Sequence, residues 1–239
     1  MAKSVSGVDG DGLSAPGTIT EFVTEQIRDR IVLGILPPGS KLSVYQLAEE
    51  LGVSRVPLRE AVRQLEAESL VDNLARRGTV VRPLNIQDVQ DSFEILDSIE
   101  VIAARRAAEF SDESTIAAMR FHLEQMRLAS QRPFHDATRE MMNAHRQFHF
   151  AFFNAAGAGV LQRHLRMLWN TCERYVINSY PDLERQAEAA REHAEMVRQI
   201  EAKDPEGTVR VLREHLRASL NSALGYLDSN GIATADVRR

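Results

Sequence analysis

The chain has 239 residues, 44% hydrophobic and 26% charged, a globular composition large enough for one large domain or two modest ones. A formal net charge of −5 excludes a protein that is basic all over, although DNA binding needs only a local cationic face. No apolar run approaches the roughly 20 residues of a bilayer span, no leader-like stretch is visible, and a single cysteine, Cys172, excludes an internal disulfide and suits a reducing cytoplasm.

Residues 1–17 are rich in Gly, Ser and Asp and read as a disordered tail. Thr18 or Thr20 then offers a cap, and Phe22, Val23, Ile27, Ile31 and Val32 recur at helical spacing until Gly34 stops the pattern. Leu36-Pro37-Pro38-Gly39 is a turn. Ser43 and Gln46 form a capping-box signal for a second helix, which ends at Gly52-Val53. Ser54 caps a third helix, and Pro57 falls in its first turn, where a missing N–H costs little. After Leu70 the period changes: Leu70-Val71 and Thr79-Val80-Val81 flank Ala75-Arg76-Arg77-Gly78, a β-hairpin with a basic tip.

Three helices plus a hairpin make residues 18–83 a winged helix-turn-helix. Residues 84–87 read as a linker, from Pro83 to Gln87 at its widest. Beyond it every pattern is helical, with candidates from about 85 to 110, 112 to 131, 133 to 156, 159 to 180, 183 to 203 and 205 to 227. Asp204-Pro205 is an N-cap followed by Pro at the first helical position. The expected fold class is therefore mainly α. Residues 88–228 form an antiparallel bundle of about six helices, and residues 229–239 a flexible tail.

A helix-turn-helix places its second helix in the DNA major groove. Residues 18–83 hold nine Lys or Arg and nine Asp or Glu, so this head must segregate its charge to meet phosphate. Ser54, Arg55, Val56, Pro57 and Arg59 open the reading helix. Arg55 and Arg59 lie one turn apart and suit guanine O6 and N7, while Ser54 and the free N–H groups of the helix start suit a phosphate. Arg76, Arg77 and Gly78 form a wing tip for the minor groove or backbone, and Tyr45 stands near phosphate. The competing expectation is a solvated face in which Glu60, Glu66 and Glu68 pair with these arginines.

All seven histidines lie in the helical half. His145 and His149 are four apart on one helix face, a spacing that offers two imidazoles to one metal. His193 and His215 lie on the fifth and sixth candidate helices of the bundle. If these helices meet, four imidazoles converge, and Zn, Ni, Cu or Fe would all suit them.

The run from Glu25-Gln26-Ile27-Arg28 through Leu36-Pro37-Pro38-Gly39 to Gly52-Val53-Ser54-Arg55-Val56-Pro57-Leu58-Arg59-Glu60-Ala61, continued by Leu70-Val71 and Arg77-Gly78-Thr79, resembles the N-terminal domain of the GntR family of bacterial transcription regulators. Ser69 stands where many members carry Gly, a difference expected to matter little. Residues 88–224 resemble the all-helical domain of the FadR-type branch, through Glu100 and its Ala-Ala-Arg run, Phe148-His149 through Gly157, Glu192-His193 and Glu214-His215-Leu216. The resemblance implies DNA contact by Arg55 and Arg59, and Gly78 as the wing-tip glycine. It also implies a divalent metal, Zn or Ni, held by His149, His193 and His215. His145 replaces the usual acidic fourth ligand, and Leu96 stands near where many relatives have Arg.

The implied protein is a cytoplasmic, homodimeric regulator, a repressor rather than an activator. It would bind a near-palindromic operator in double-stranded DNA and respond to a small carboxylate. Arg105, Arg106, Arg174, Tyr175 and Asn178 are candidate contacts for that effector. A helical metalloenzyme is the competing class, but there is no H-E-x-x-H pattern and no evident nucleophile–base set, so no enzyme is expected. A third reading keeps DNA binding and makes the metal purely structural.

Overall fold

Two apolar cores organise the chain, one in each half. The computed structural model describes residues 17–157, 159–178 and 183–232. Of the tails expected at 1–17 and 229–239, residues 1–16 and 233–239 lie outside the described residues, while Ser229 still belongs to the last helix.

The first half begins with α1 (Ile19–Val32), capped by the Thr18 hydroxyl, which accepts the Glu21 N–H at 3.1 Å. Helix α2 (Val44–Leu51) is capped by Ser43, which accepts the Gln46 N–H at 3.3 Å, and it ends on Gly52 at φ 64°. That left-handed turn needs a residue without Cβ strain, and it re-aims the chain into α3 (Arg55–Ala67). Strands β1 (Val71–Leu74) and β2 (Gly78–Val81) pair antiparallel, from Val71↔Val81 to Leu74↔Gly78. Lys41 adds an isolated bridge to Val80, tying the segment before α2 to the wing. Val23, Ile27, Leu47, Leu58, Leu65 and Val81 interlock as the small core beneath this head.

The second half is built from α4 (Ile86–Phe110), α5 (Glu113–Ala129), α6 (Phe134–Ala155), α7 (Val160–Asn178), α8 (Leu183–Glu201) and α9 (Pro205–Ser229). The protein is thus mainly helical, a winged helix-turn-helix followed by a helical domain. Helix α5 packs on α6, and α9 packs on both α4 and α8. Phe93, Phe148, Phe152, Trp169, Met196 and Leu212 belong to its core. No helix among the described residues is long and apolar enough to cross a membrane.

Two details differ from expectation. Asn85 accepts the N–H groups of Gln87 and Asp88 and starts α4 at Ile86, so residues 86 and 87 belong to the helix and not to the linker. Ser69 sits at φ 57° just beyond α3, a conformation that strains any side chain, so its replacement of glycine does matter.

Polar contacts join the two halves. Thr171 donates to the Glu68 carbonyl at 2.9 Å, and Arg174 donates to the carbonyls of Arg82 and Pro83 at 2.9 and 3.3 Å. Arg146 on α6 donates to Asp29 on α1 at 3.0 Å and to both carboxylate oxygens of Glu173 on α7. The first half therefore sits on α6 and α7.

Candidate nucleic-acid interface and metal centre

The start of α3 projects into solvent. Ser54, Arg55, Val56 and Arg59 are exposed, with Val56 at 72%, while Leu58 one turn inward is fully buried and anchors the helix. Exposing an apolar Val beside two arginines leaves an unpartnered face at the helix tip. Ser54 occupies the N-cap position and is exposed, but makes no side-chain capping bond, so its hydroxyl does not cover the first N–H groups of α3. The Arg55 guanidinium lies 5.0 Å from the Tyr45 ring centroid, and Tyr45 is 63% exposed.

Two of the three acidic residues expected to compete for these arginines are engaged elsewhere. Glu60 pairs with Arg63, and Glu68 holds Arg28 through two hydrogen bonds at 2.9 and 2.7 Å. Arg76, Arg77 and Gly78 are exposed at the wing, with Arg76 at φ 67° and Gly78 at φ 79°. Head and wing thus present cations on α3 and the hairpin tip, with the α2 tyrosine beside them.

The four histidines come together. His145 and His149 on α6, His193 on α8 and His215 on α9 each offer a ring nitrogen, and these atoms all lie within 4.8 Å of one another. All four residues are buried, at 3% exposure or less. The Nε2 atoms of His149 and His193 are 3.2 Å apart, and the buried Nδ1 atoms of both rings have no hydrogen-bond partner among the described residues. Trp169 on α7 stacks on His149 with centroids 3.9 Å apart.

Burial, followed by the neighbouring His215, Arg185 and Arg146, pushes His145 down to about 3. Burial and the other histidines hold His149 and His193 well below the usual imidazole range. These rings are therefore neutral near pH 7, the form a metal requires.

Sequence reasoning missed two residues here. Glu192 accepts the His215 Nδ1–H at 2.8 Å and the Arg185 guanidinium at 3.1 and 2.9 Å. Burial alone would raise the Glu192 carboxyl, but these two partners hold it down at about 2. The bond fixes the His215 tautomer and leaves its Nε2 as the available donor, a support common for metal-ligating histidines. Glu192 precedes His193 in sequence yet serves His215, so only the packing of α8 on α9 reveals it.

The effector candidates lie apart from this cluster. Arg105 is on the surface, paired with Glu206, and Arg106 donates to the Ala156 carbonyl at 3.5 Å. Arg174 holds the linker carbonyls and donates to the buried Tyr175 hydroxyl at 3.2 Å. The Asn178 side chain lies outside the described residues. None of the described four lines the cavities beside the histidines, whereas Leu96 does.

A winged head with a bare cationic tip, fastened to a helical domain holding a buried polar cluster, is the build of a transcription regulator. Residues 19–81 match the profile of bacterial regulatory proteins of the gntR family, and residues 91–218 match the FCD domain. The chain is 30% identical over 220 residues to the probable D-xylose utilization operon transcriptional repressor of Paenarthrobacter nicotinovorans, covering 90% of this chain and 94% of that one. It is 27% identical over 202 residues to the transcriptional repressor RspR of Escherichia coli strain K12, covering 83% and 87%. In fold it is similar to E. coli McbR/YncC, with a TM-score of 0.77 at 21% identity over 87% of this chain and 98% of that one. The chain belongs to the GntR family of bacterial transcription regulators and carries an FCD domain as its helical half.

Proposed function

We propose that this regulator is a ligand-responsive repressor that binds a near-palindromic operator as a homodimer, with the start of α3 in the major groove. The observation that carries the DNA reading is the exposed Ser54–Arg59 tip, with Glu60 and Glu68 paired to other arginines. Arg55 and Arg59 discriminate guanine edges, worth roughly 1–3 kcal/mol for each bidentate pair. Ser54, Tyr45, Arg76 and Arg77 meet phosphate or the minor groove, Val56 and Pro57 pack at the base edges, and Gly78 lets the wing approach closely. Two heads related by two-fold symmetry read two half-sites. Repression is taken from the named function of the relatives.

The histidine centre supports a resident divalent ion, Zn or Ni, with His145, His149, His193 and His215 as ligands. The fit rests on the donor chemistry: four buried imidazoles, a His149–His193 separation of 3.2 Å that approaches a tetrahedral edge, and a carboxylate behind His215. Bound there, the ion would supply a positive charge able to attract a carboxylate. Histidine ligands alone do not choose between the metals.

The same helices give a route to the head. Arg146 follows His145 and holds Asp29 of α1, while Trp169 stacks on His149 two residues before Thr171, which holds Glu68 of the head. An effector that prefers one arrangement of α6 and α7 therefore changes the DNA affinity of the heads.

Selection from a random duplex pool tests this reading. It predicts recovery of a two-fold symmetric site, a metal in the purified protein by mass spectrometry, and loss of that metal in His149→Ala/His193→Ala. An operator without symmetry would remove the dimer. A metal-free protein with unchanged operator binding would remove the metal centre while leaving the DNA reading intact.

A further inference from the structure

Val56 is the most exposed of the large apolar side chains among the described residues, at 72%. A single exposed valine is ordinary on a protein surface, so its direction has to distinguish it. Leu58, Ala61, Val62 and Leu65 form the buried face of α3. A helix advances by roughly 100° per residue, which puts Val56 almost opposite the middle of that face. Arg55 and Arg59, both exposed, lie to one side of it, within about 100° and 60°. Val56 is therefore the part of the helix start that stands farthest from the core, and the arginines flank it.

The chemistry of that outermost point is unlike that of its neighbours. The two γ-methyl groups of Val56 neither donate nor accept a hydrogen bond, so a phosphate oxygen or a polar base edge gives them nothing. Hydrocarbon laid over such an edge also displaces water from it without replacing the lost hydrogen bond. Among the major-groove edges of the four bases, only thymine presents an apolar group, its C5 methyl. Methyl against methyl removes apolar surface from water on both sides.

We infer that Val56 is a specificity-determining residue for thymine, its γ-methyl groups covering the C5 methyl of one thymine in each half-site. Adjacent Cα atoms are about 3.8 Å apart and base pairs about 3.4 Å, so this thymine lies within about two base pairs of the guanine that Arg55 reads. The helix start thus joins a hydrogen-bond reader to a methyl reader. This deepens the placement of α3 in the major groove proposed above and rests on it.

The full-length protein is titrated with its selected operator, and each thymine of one half-site is replaced in turn by uracil, which lacks only the C5 methyl. Synthetic duplexes carry no 5-methylcytosine, so thymine is the only source of that group. The wild type is expected to lose about fourfold in affinity at one thymine near the Arg55 guanine, the scale of one buried methyl. Val56→Ala withdraws both γ-methyl groups from an exposed site where alanine suits a helix, so the fold is kept. Its loss at the same thymine should fall below about twofold, with the effect of uracil at other positions unchanged. Equal uracil losses in the two proteins, no uracil loss at any thymine in the wild type, or a selected half-site without thymine in that window would overturn the inference. Arg55→Ala with unchanged operator affinity would overturn the placement of α3 itself, which keeps the two failures apart.

Discussion

Glu100 on α4 is fully buried, and neither of its carboxylate oxygens has a hydrogen-bond partner among the described residues. Burial first, and then the nearby Asp97, push its carboxyl from 4.5 up to about 8. Below 4.5 the folded and unfolded chains both hold the proton and the group is neutral to stability. As pH rises from 4.5 towards 8, the unfolded chain gives up its proton while the folded chain retains it, so stability falls, and it levels off above 8. Each unit of this gap costs about 1.4 kcal/mol, so between about pH 5 and pH 7.5 the native protein loses about 3 kcal/mol through this one residue. Glu100→Gln keeps the shape and removes the titration. Urea denaturation of both proteins without metal should show their difference moving by about 3 kcal/mol in favour of Gln across that pH interval. Taking the difference cancels the opposite contribution of the buried histidines. Parallel stability curves for the two proteins would refute the argument.

Other outcomes follow from the same geometry. Ser69→Gly should raise the unfolding free energy by up to about 1 kcal/mol, read as a higher urea midpoint, because glycine relieves the left-handed strain at φ 57°; a lower midpoint would contradict that account. Arg146→Met leaves Glu173, whose side chain is 2% exposed, without its cation, and should destabilise the protein by about 3–5 kcal/mol, measured by urea unfolding. The same variant should speed hydrogen exchange at the α1–α6 junction, and unchanged protection there would break the proposed route to the head. Removing metal with a chelator should lower the melting temperature of the wild type and leave that of His149→Ala/His193→Ala unmoved, and equal shifts would exclude the histidines as the site.

The helices were legible because their punctuation is local. Thr18, Ser43, Asn85, Asp112 and Asp204 each sit at a cap and accept a backbone N–H from within the next three residues, so sequence spacing alone places those starts. His145 and His149 were legible as a pair because a helix repeats nearly every four residues. Their meeting with His193 and His215 came from family resemblance, because how α8 and α9 pack is not written in spacing. The contacts of Glu192 with His215 and of Arg185 with Ser219 stayed hidden for that reason, since each crosses from α8 to α9, although Arg185 and Glu192 themselves lie two turns apart on α8. Ser69 shows the converse. A serine after a helix looks harmless until its φ is known, and only the entry of α3 into β1 sets that angle.

The central claim is that the α3 tip reads bases and does not merely attract phosphate. Fluorescence anisotropy of the selected operator and a scrambled duplex, with the wild type, Arg55→Ala and Arg59→Ala at one salt concentration, tests it directly. The expected result is a loss of about tenfold or more for each variant on the operator, with a far smaller loss on the scrambled duplex. Equal losses on both duplexes, or none on either, would contradict it.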